Sequence, residues 1–483
     1  MRVLLIHPVH EEPAGGPQPF RFINIMPVGI FSLADVLDRA GHQVEICHLG
    51  LRRALDPDFD LGAYAAGTAP DLVGISLHWH PQLHEALSAA AEIRAALPGA
   101  RVVLGGITAS LLAEELLTAM AEVDFVIRGD GERPLLELCQ HIGGGRGLEG
   151  CANLLWRDRD GVVRASPEQW IAGEADLGAW LRPELMPEAE QYRPPYYFMP
   201  DDPAGAYSGT DVFYLVAHRG CPHACDYCGG CRGAQKILRN GAFTRFSPES
   251  LLSGARQALA TGRDRIYLLA DNSVLGDEIF VELAQGLAGE AEPPRELHLD
   301  VYRLPEPAAL RAVRRALPDS AIVVHCTPEA GSDAFRALRR PRELYFTNED
   351  LERFLRTADR VGVSSVVYCS LHPAAPPAEI EALGRLAGEV LARPGRRVCL
   401  SVLDLDLHAP WAVEPERHGL QEVISGLPAY LELDRRRSRE GTRYPRDLGY
   451  AYPHLREDLA LLGREVDLGA LDNHRFLAYA CGL

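Results

Sequence analysis

The chain has 483 residues, which is too long for one ordinary hydrophobic core, so two or three domains are expected. It is 47% hydrophobic and 24% charged, as soluble globular proteins are, and its net charge of −18 disfavours nucleic acid as a partner. The N-terminal apolar run is too short for a secretory signal, and no run approaches the roughly 18 residues of a membrane span, which predicts a cytoplasmic protein with reduced thiols.

The first 140 residues alternate short apolar strands with helical stretches. Strands are predicted at residues 3–7, 43–49, 71–78, 101–106 and 124–129. Helical periodicity is found at residues 27–42, 84–97 and 109–120. This alternation, with strands so apolar, predicts a Rossmann-like α/β domain whose parallel sheet is covered on both faces. Ligands of such sheets bind at the carboxyl ends of the strands.

Residues 141–205 interrupt the alternation. They are rich in glycine at 141–150 and in proline at 182–205, which predicts a connector that lies along a surface and forms no core of its own. The alternation then resumes between residues 206 and 410. Strands are predicted at residues 211–218, 265–271, 296–303, 321–326, 364–371 and 396–405. Six strand–helix units indicate a second α/β domain, either an open sheet or a partial barrel, followed by a mixed helix and loop extension at 411–483.

Four of the 11 cysteines fall within thirteen residues, in the sequence RGCPHACDYCGGC at 219–231. Cys221, Cys225 and Cys228 form a C-x3-C-x2-C pattern directly after a predicted strand. Three thiolates from one loop suit an iron–sulfur cluster with one iron left open, whereas four protein ligands would close the site. Cys231 leaves a four-cysteine zinc site and a fully ligated cluster as alternatives. The other cysteines are interpreted as packing residues: Cys47, Cys139, Cys151, Cys326, Cys369, Cys399 and Cys481.

The cysteine spacing, with Tyr227 just before the last of the three cysteines, resembles the signature of radical S-adenosylmethionine (SAM) enzymes. The resemblance implies that Cys221, Cys225 and Cys228 hold a [4Fe–4S] cluster and that SAM chelates the fourth iron. It also implies a partial (β/α)6 barrel, in agreement with the six units counted above. Tyr227 is then expected against the cluster and adenine region, and Cys231 is expected to be a bystander.

Two further stretches match this family by position. LADNS (269–273) ends the strand after the cysteine loop, where the family holds the SAM amino group, which implies Asp271 and Asn272. TPEAGSD (327–333) resembles the P-E-x-G-S motif of the cobalamin-binding subgroup. It implies that Glu329 and Ser332 face the ribose or methionine end of SAM. The alternative is that both stretches only cap helices.

A Rossmann-like domain ahead of such a core resembles the cobalamin (B12)-binding radical SAM proteins. The matching stretches are residues 27–42, 104–110 and 128–138, and the resemblance as a whole covers roughly residues 1–410. In LGGITAS (104–110), Gly105 and Gly106 allow close backbone approach and Thr108 offers a hydroxyl at a helix start, which suits a nucleotide tail. The D-x-H-x-x-G motif that supplies a cobalt-ligating histidine in many B12 domains is absent. Cobalt without a protein histidine, or a scaffold that no longer binds cobalamin, are both left open.

The stretch HWHPQLH (78–84) follows the third predicted strand, at the edge where ligands bind. His78 and Trp79 are interpreted as cobalamin contacts, with Trp79 as a wall beneath the corrin or its tail. The alternatives are a structural cluster and an independent metal site at His80 and His84, which are one helical turn apart.

The resemblance implies a cobalamin-dependent radical SAM C-methyltransferase. In that chemistry a 5′-deoxyadenosyl radical removes hydrogen from an unactivated carbon of a small molecule, and methylcobalamin donates the methyl group. The alternatives are ring formation or rearrangement with the same cofactors, a radical SAM enzyme without B12, and a non-enzymatic zinc protein. The expected partners are a small-molecule substrate and an electron donor such as flavodoxin or ferredoxin.

Overall fold

The structure is a computed structural model that describes residues 1–8, 28–144, 147–190, 212–403, 406–420, 425–440 and 454–472. Cys481, the start of the helix predicted at 27–42 and residues 191–205 of the predicted connector lie outside the described residues. Two α/β units follow one another, each built on its own large sheet. No helix in the described part of the chain is long and apolar enough to cross a bilayer.

Seven strands form the first sheet: β1 (Arg2–His7), β2 (Gln43–His48), β3 (Leu72–Ser76), β4 (Arg101–Gly105), β5 (Phe125–Ile127), β6 (Leu154–Arg157) and β7 (Val163–Ala165). Their order is β2-β1-β3-β4-β5-β6-β7, and the first five strands are parallel. The strand order reverses between β1 and β3, and this reversal opens a crevice at their carboxyl ends. The five strands predicted from apolar runs are therefore confirmed.

Helices cover both faces of this sheet, which explains why β1 has five consecutive buried residues. They are α1 (Val28–Arg39), α2 (Leu49–Leu55), α3 (Leu61–Thr68), α4 (Leu83–Ala96), α5 (Ile107–Leu111), α6 (Ala113–Ala119) and α7 (Glu132–Gly144). Short 3-10 turns lie at His80–Gln82, Leu148–Gly150, Glu174–Asp176 and Pro183–Leu185.

Of the connector expected at residues 141–205, the described part, 141–144 and 147–190, contains regular structure. Helix α7 continues to Gly144, and β6 and β7 form an antiparallel hairpin that extends the first sheet. Leu154, Leu155 and Trp156 are buried in its core. The hairpin escaped prediction because its outer strand is short and half polar, as edge strands often are.

The second unit contains two more sets of strands. These are β8 (Val212–Val216), β9 (His218–Arg219), β10 (Thr244–Arg245), β11 (Arg265–Leu269), β12 (Glu296–Val301), β13 (Ala321–Glu329), β14 (Ser364–Leu371) and β15 (Arg396–Val402). Six of them form a fully parallel sheet in the order β15-β14-β13-β12-β11-β8, while β9 and β10 pair separately. All six predicted strands are present in sequential order, which confirms the partial (β/α)6 barrel.

The helices of the second unit are α8 (Arg232–Arg239), α9 (Pro248–Ala260), α10 (Asn272–Leu275), α11 (Glu278–Leu287), α12 (Pro307–Ala316), α13 (Asp333–Arg339), α14 (Asn348–Arg360), α15 (Pro377–Leu391), α16 (Pro410–Val413), α17 (Gly426–Glu440) and α18 (Leu455–Glu465). Further 3-10 turns lie at Arg342–Leu344, Pro415–His418 and Leu468–Ala470. Helix α17 packs on α4 of the first unit, and α18 packs on α15. The C-terminal segment thus contacts both units.

The two faces of the barrel sheet differ in chemistry. One face is aliphatic and belongs to the main core, whereas the other carries a buried row of hydrogen-bonded rings. His298 contacts His325 at 3.0 Å, and His325 contacts the Tyr368 hydroxyl at 3.0 Å. Side chains two positions further along a strand lie on the same face. On that ground Asp300, Thr327 and Ser370, all half-buried, continue this polar face toward the carboxyl ends of the strands.

Replacement of Gly331 tests the packing between the strand ends and α15. A Cβ atom at Gly331 would lie 2.1 Å from the Leu383 backbone nitrogen, so we expect Gly331→Ala to destabilise the protein by about 1–3 kcal/mol. Urea denaturation measures this loss. Gly67→Ala is the control, because nothing lies within 4 Å of a Cβ there. Equal denaturation midpoints for Gly331→Ala and the wild type would contradict the packing described here.

Candidate active site

The cysteine loop begins where β9 ends. Gly220 has a φ of +88°, and a Cβ atom there would lie 2.4 Å from the Ala242 carbonyl oxygen, so only glycine fits. Cys221, Cys225 and Cys228 follow and are half-buried. The turn at Gly220 therefore leads from the strand end into a partly exposed loop that carries the three thiols.

The three thiols share an environment that resists their ionisation. Burial is the largest cause that raises the pKa of Cys221, Cys225 and Cys228, and Glu329 raises the pKa of Cys225 further. Thiolates in such a loop become favourable once a positive iron centre neutralises them. Within the described residues no set of His, Cys, Asp and Glu side chains is arranged around a single metal ion. Three thiols on one loop are a donor set that suits an iron–sulfur cluster.

Cys231 is set apart from the other three cysteines. Its side chain is 2% exposed, and its thiol donates to the His408 carbonyl oxygen at 3.7 Å. It also occupies the N-terminal boundary of α8. The structure thus places Cys231 in the packing between α8 and the C-terminal segment.

His223, between the first two cysteines, links the loop to the end of β11. Its Nε2 contacts the Asp271 carboxylate and lies 3.1 Å from the Ser273 hydroxyl, while its Nδ1 contacts Glu343 at 2.9 Å. Burial alone would lower the pKa of His223, but the hydrogen bonds to Asp271 and Glu343 outweigh burial and raise it. His223, held between two carboxylates, therefore anchors this part of the loop.

Asp226 and Tyr227, between the last two cysteines, tie the loop to two other strand ends. Asp226 accepts from Arg339 at 3.1 Å and lies 3.8 Å from Nε2 of His372, which follows β14. The Tyr227 hydroxyl donates to Glu329, the last residue of β13. Together with the anchor at β11, these contacts spread the cysteine loop across the carboxyl ends of the barrel strands.

Glu329 is held in an uncommon backbone conformation. Its φ is +64°, next to a register shift in the pairing of β13 with β14. The fully buried Arg336 fixes the backbone on either side, because it donates to the carbonyl oxygens of Pro328 at 3.0 Å and Ala330 at 2.6 Å. Strained residues of this kind gather at functional sites. Burial raises the pKa of the Glu329 carboxyl.

A cavity of about 510 Å³ lies between the two units, at the carboxyl edge of the first sheet. His78, Trp79, Gly105 and Gly106 line it from the first unit, and Gly220, the residue before Cys221, lines it from the second. The cavity therefore reaches from the crevice of the first sheet to the start of the cysteine loop.

Two features shape the wall of this cavity. Gly106 has a φ of +108°, and a Cβ there would lie 2.7 Å from the Leu77 carbonyl oxygen. Gln82 accepts hydrogen bonds from the backbone nitrogens of His78 and Trp79 at 3.3 and 3.1 Å. A required glycine and a buried amide thus hold the backbone that carries Trp79.

The chain is similar to several known proteins. Residues 24–139 match the family model of the B12 binding domain. The chain is 24% identical over 294 residues to the anaerobic magnesium-protoporphyrin IX monomethyl ester cyclase of Synechocystis sp., which covers 60% of this chain and 53% of that protein. It is 23% identical over 295 residues to the hopanoid C-3 methylase of Methylococcus capsulatus, which covers 60% and 50%. The chain spans about half the length of these curated relatives.

A solved structure has the same fold. The radical SAM methyltransferase TsrM from Kitasatospora setae, with cobalamin and a [4Fe-4S] cluster bound, superposes with a TM-score of 0.66 at 19% identity and covers 96% of this chain and 89% of that one. Residues 24–139 thus match a B12-binding domain, and the fold of the chain is that of a radical SAM methyltransferase structure that carries such a domain.

Two of the residues expected at SAM make their hydrogen bonds with other residues of the protein. Asn272 is fully buried, and its amide contacts Arg303 and Asp277. Ser332 caps α13 and donates to Glu379. Ser332 therefore fits the helix-capping alternative, whereas Asn272 caps no helix and its amide holds Arg303 and Asp277 in place; contact of either residue with SAM stays a prediction.

Asp271 and Glu329 have different positions from those two residues. Asp271 caps α10 and binds His223, so it acts on the cysteine loop. Glu329 is half-buried beside Tyr227 at the barrel mouth and stays a candidate contact for SAM.

Four of the five residues expected at cobalamin line the cavity, and Thr108 does not. Thr108 is 3% exposed, and its hydroxyl donates to the His78 carbonyl oxygen at 3.1 Å. This hydrogen bond fixes the loop that carries His78, and contact of Thr108 with a nucleotide tail stays a prediction. Burial lowers the pKa of His78 to about 4, so its imidazole is neutral at pH 7. His80 packs against Tyr430 at 5.3 Å between ring centres and takes part in no metal site in the described residues.

Several residues of the site could not be found from the sequence. Glu343, Glu379 and Asp406 contact His223, Ser332 and Gly229 from positions 47 or more residues away. No local pattern marks such partners. His223 alone carried a signal, since a basic side chain between two candidate cluster ligands needs a structural or catalytic reason. The six scattered cysteines in the described residues are buried, as expected.

Asp300 lies half-buried at the end of β12, and burial raises its pKa from 3.8 to about 7. The folded state therefore favours the protonated carboxyl, so the wild type loses stability relative to Asp300→Asn as pH rises between these two values. We expect the difference in unfolding free energy to change by on the order of 1–3 kcal/mol between about pH 4 and about pH 8.

Urea denaturation of both proteins at the two pH values measures this change. The exposed Asp319 supplies the control variant, Asp319→Asn, whose difference from the wild type should stay constant. A pH-independent difference for Asp300→Asn as well would contradict the burial of a neutral carboxyl at this position.

Proposed function

We propose that this protein is a radical SAM enzyme that uses cobalamin to place a methyl group on an unactivated carbon of a small molecule. One observation carries the proposal: the cysteine loop lies across the mouth of the barrel, and Gly220, where the loop begins, also lines the cavity of the B12-binding unit. An iron–sulfur site, a barrel interior and a cobalamin cavity thereby meet at one place.

The residues present fit these cofactors. Cys221, Cys225 and Cys228 would hold a [4Fe–4S] cluster, because they are three free, half-buried thiols on one loop. Trp79 and Gly106 would hold cobalamin, in a cavity closed by a backbone that only glycine permits. When bound, the cluster and SAM supply a 5′-deoxyadenosyl radical and cobalamin supplies the methyl group.

The chain's own residues bind, orient and shield the reactants. Tyr227 and Glu329 form a hydrogen-bonded pair beside the cysteines, and this pair would face SAM. Asp300, Thr327 and Ser370 offer hydrogen bonds at the barrel mouth, which suits a substrate with polar groups. With its raised pKa, the Asp300 carboxyl is partly protonated near neutral pH and can donate a hydrogen bond. An electron donor such as flavodoxin or ferredoxin is part of this proposal.

Ring formation with the same cofactors is the second candidate. It is supported by the similarity to the magnesium-protoporphyrin cyclase, while the similarity to the hopanoid methylase supports methyl transfer. Both share the first step at an unactivated carbon and differ in what the substrate radical then meets. The fate of the SAM methyl group therefore distinguishes them.

Product analysis after anaerobic reconstitution tests methyl transfer. The protein should be brown and contain about four irons per chain. With titanium(III) citrate and SAM, we expect S-adenosylhomocysteine to accumulate only in cobalamin-loaded protein, whereas 5′-deoxyadenosine should form with or without cobalamin. If loaded protein yields 5′-deoxyadenosine and no S-adenosylhomocysteine, methyl transfer is wrong and the ring-forming alternative takes its place.

Cysteine variants test the assignment of the cluster ligands. Cys225→Ala should lower the iron content and SAM cleavage by about tenfold or more, because a three-ligand cluster does not assemble on two thiolates. Cys231→Ala is the matched control and should retain both within about twofold, since its thiol is bonded to His408. Iron analysis and 5′-deoxyadenosine quantification measure the two properties. Loss of the cluster in Cys231→Ala alone would show that the ligand set is wrong.

A further inference from the structure

Four charged side chains meet where the B12-binding unit contacts the cysteine loop. Asp130 and Glu132 lie just after β5, in the stretch RGDGE at 128–132. Arg219 directly precedes Gly220 and the first cysteine, and Arg239 is the last residue of α8, the helix that begins after Cys231. All four side chains line the cavity between the units. The arginines therefore bracket the cysteine loop and its helix, and both bind the first unit.

The contacts among these four residues are directional. Arg219 binds Glu132 through both terminal nitrogens, at 2.7 and 3.1 Å. Arg239 donates to Asp130 at 2.9 Å, and Arg219 approaches the same oxygen at 3.5 Å. Ser32 donates to Glu132 at 2.8 Å, which fixes the carboxylate from the side of α1. Two-point guanidinium–carboxylate contacts fix orientation as well as distance.

The backbone makes a second contact at the same junction. Gly129 has a φ of +85°, and a Cβ atom there would lie 2.1 Å from the Leu238 carbonyl oxygen near the end of α8. Only glycine allows the loop after β5 to approach α8 this closely. Helix α8 is therefore held by its backbone and by Arg239 at adjacent positions.

The burial of these side chains limits how much their ion pairs can contribute to stability. The side chains of Glu132, Asp130 and Arg239 are 3%, 8% and 5% exposed. Buried ion pairs add little net stability, because desolvation cancels much of their attraction, and apolar residues would join two units as firmly. Apolar packing, however, does not fix the relative orientation of the two units as directional ion pairs do. Two acids against two arginines also leave the junction without net charge, so the cluster can stay buried while it fixes an angle.

We propose that Asp130, Glu132, Arg219 and Arg239 are positioning residues that set the placement of the iron–sulfur cluster relative to cobalamin. The inference rests on the proposed function, since it needs both cofactors in the places assigned above. The four residues act through the backbone of the cysteine loop and of α8, not on the substrate. Such placement matters because a misplacement of about 1 Å between reacting groups can cost roughly 10²-fold in rate.

Hydrogen exchange on the full chain without added cofactors tests the mechanical part of this proposal. In Glu132→Gln the carboxylate charge is lost while size is kept, so we expect exchange in residues 219–239 to become about tenfold faster or more. The barrel strands should keep their protection. Arg133→Gln, next along α7 and paired with Glu137 at the exposed surface, is the matched control and should behave as the wild type.

Pulsed electron paramagnetic resonance on anaerobically reconstituted protein tests the placement itself. The probes are cob(II)alamin and the reduced cluster, whose dipolar coupling falls with the cube of their separation. We expect Glu132→Gln to bind both cofactors and to give a weaker or broader coupling than the wild type and Arg133→Gln. Should Glu132→Gln fail to fold, Ser32→Ala removes one hydrogen bond to the same carboxylate and should show the same changes to a smaller degree.

Three outcomes would overturn the inference. Wild-type coupling in a fully loaded Glu132→Gln variant would show that the ion pairs do not set the placement. Faster exchange in every barrel strand would show that they only support folding. A wild-type protein that binds neither iron nor cobalamin would remove the proposed function and this role together, and it is recognised by iron and cobalamin analysis before any variant is compared.

Discussion

The residues between the cysteines hold the cysteine loop in place, and the rest of the site depends on their contacts. Burial raises the pKa of each thiol, which disfavours thiolates in the loop before iron is bound. The residues between them supply the anchors: His223 to β11, Tyr227 to β13 and Asp226 toward β14. Because these three strand ends come together at the barrel mouth, the fold of the barrel determines the shape of the loop.

The barrel itself divides its chemistry between two faces. Its outer face is aliphatic and merges with the covering helices, whereas its inner face holds a buried hydrogen-bonded row from His298 to Tyr368. Buried polar groups of this kind are costly unless each is paired, and here each ring contacts the next at 3.0 Å. Half-buried residues nearer the strand ends, such as Asp300, continue this face toward the site.

What the sequence could predict follows from which forces are local. The strands were predicted to within a few residues, because a buried parallel strand must be apolar along its length. The three cysteines were predicted because their spacing is short and unusual. The anchors were not, since Glu343, Glu379 and Asp406 reach the site from distant positions, and their partners are decided by the tertiary fold. For Thr108 and Asn272 the sequence does not distinguish a cofactor contact from a structural hydrogen bond, because a polar residue near a strand end suits both.

The polar contacts at the junction between the two units differ in kind from apolar core packing. A core tolerates exchange among apolar side chains of similar volume, since its attraction has no direction. The junction instead uses Gly129 in contact with α8 and a neutral set of buried charges around Arg219. Such contacts are either made in one geometry or left unpaired at high cost. The ion pairs and the glycine contact thus add direction at a junction where the buried apolar side chains of both units form one continuous core.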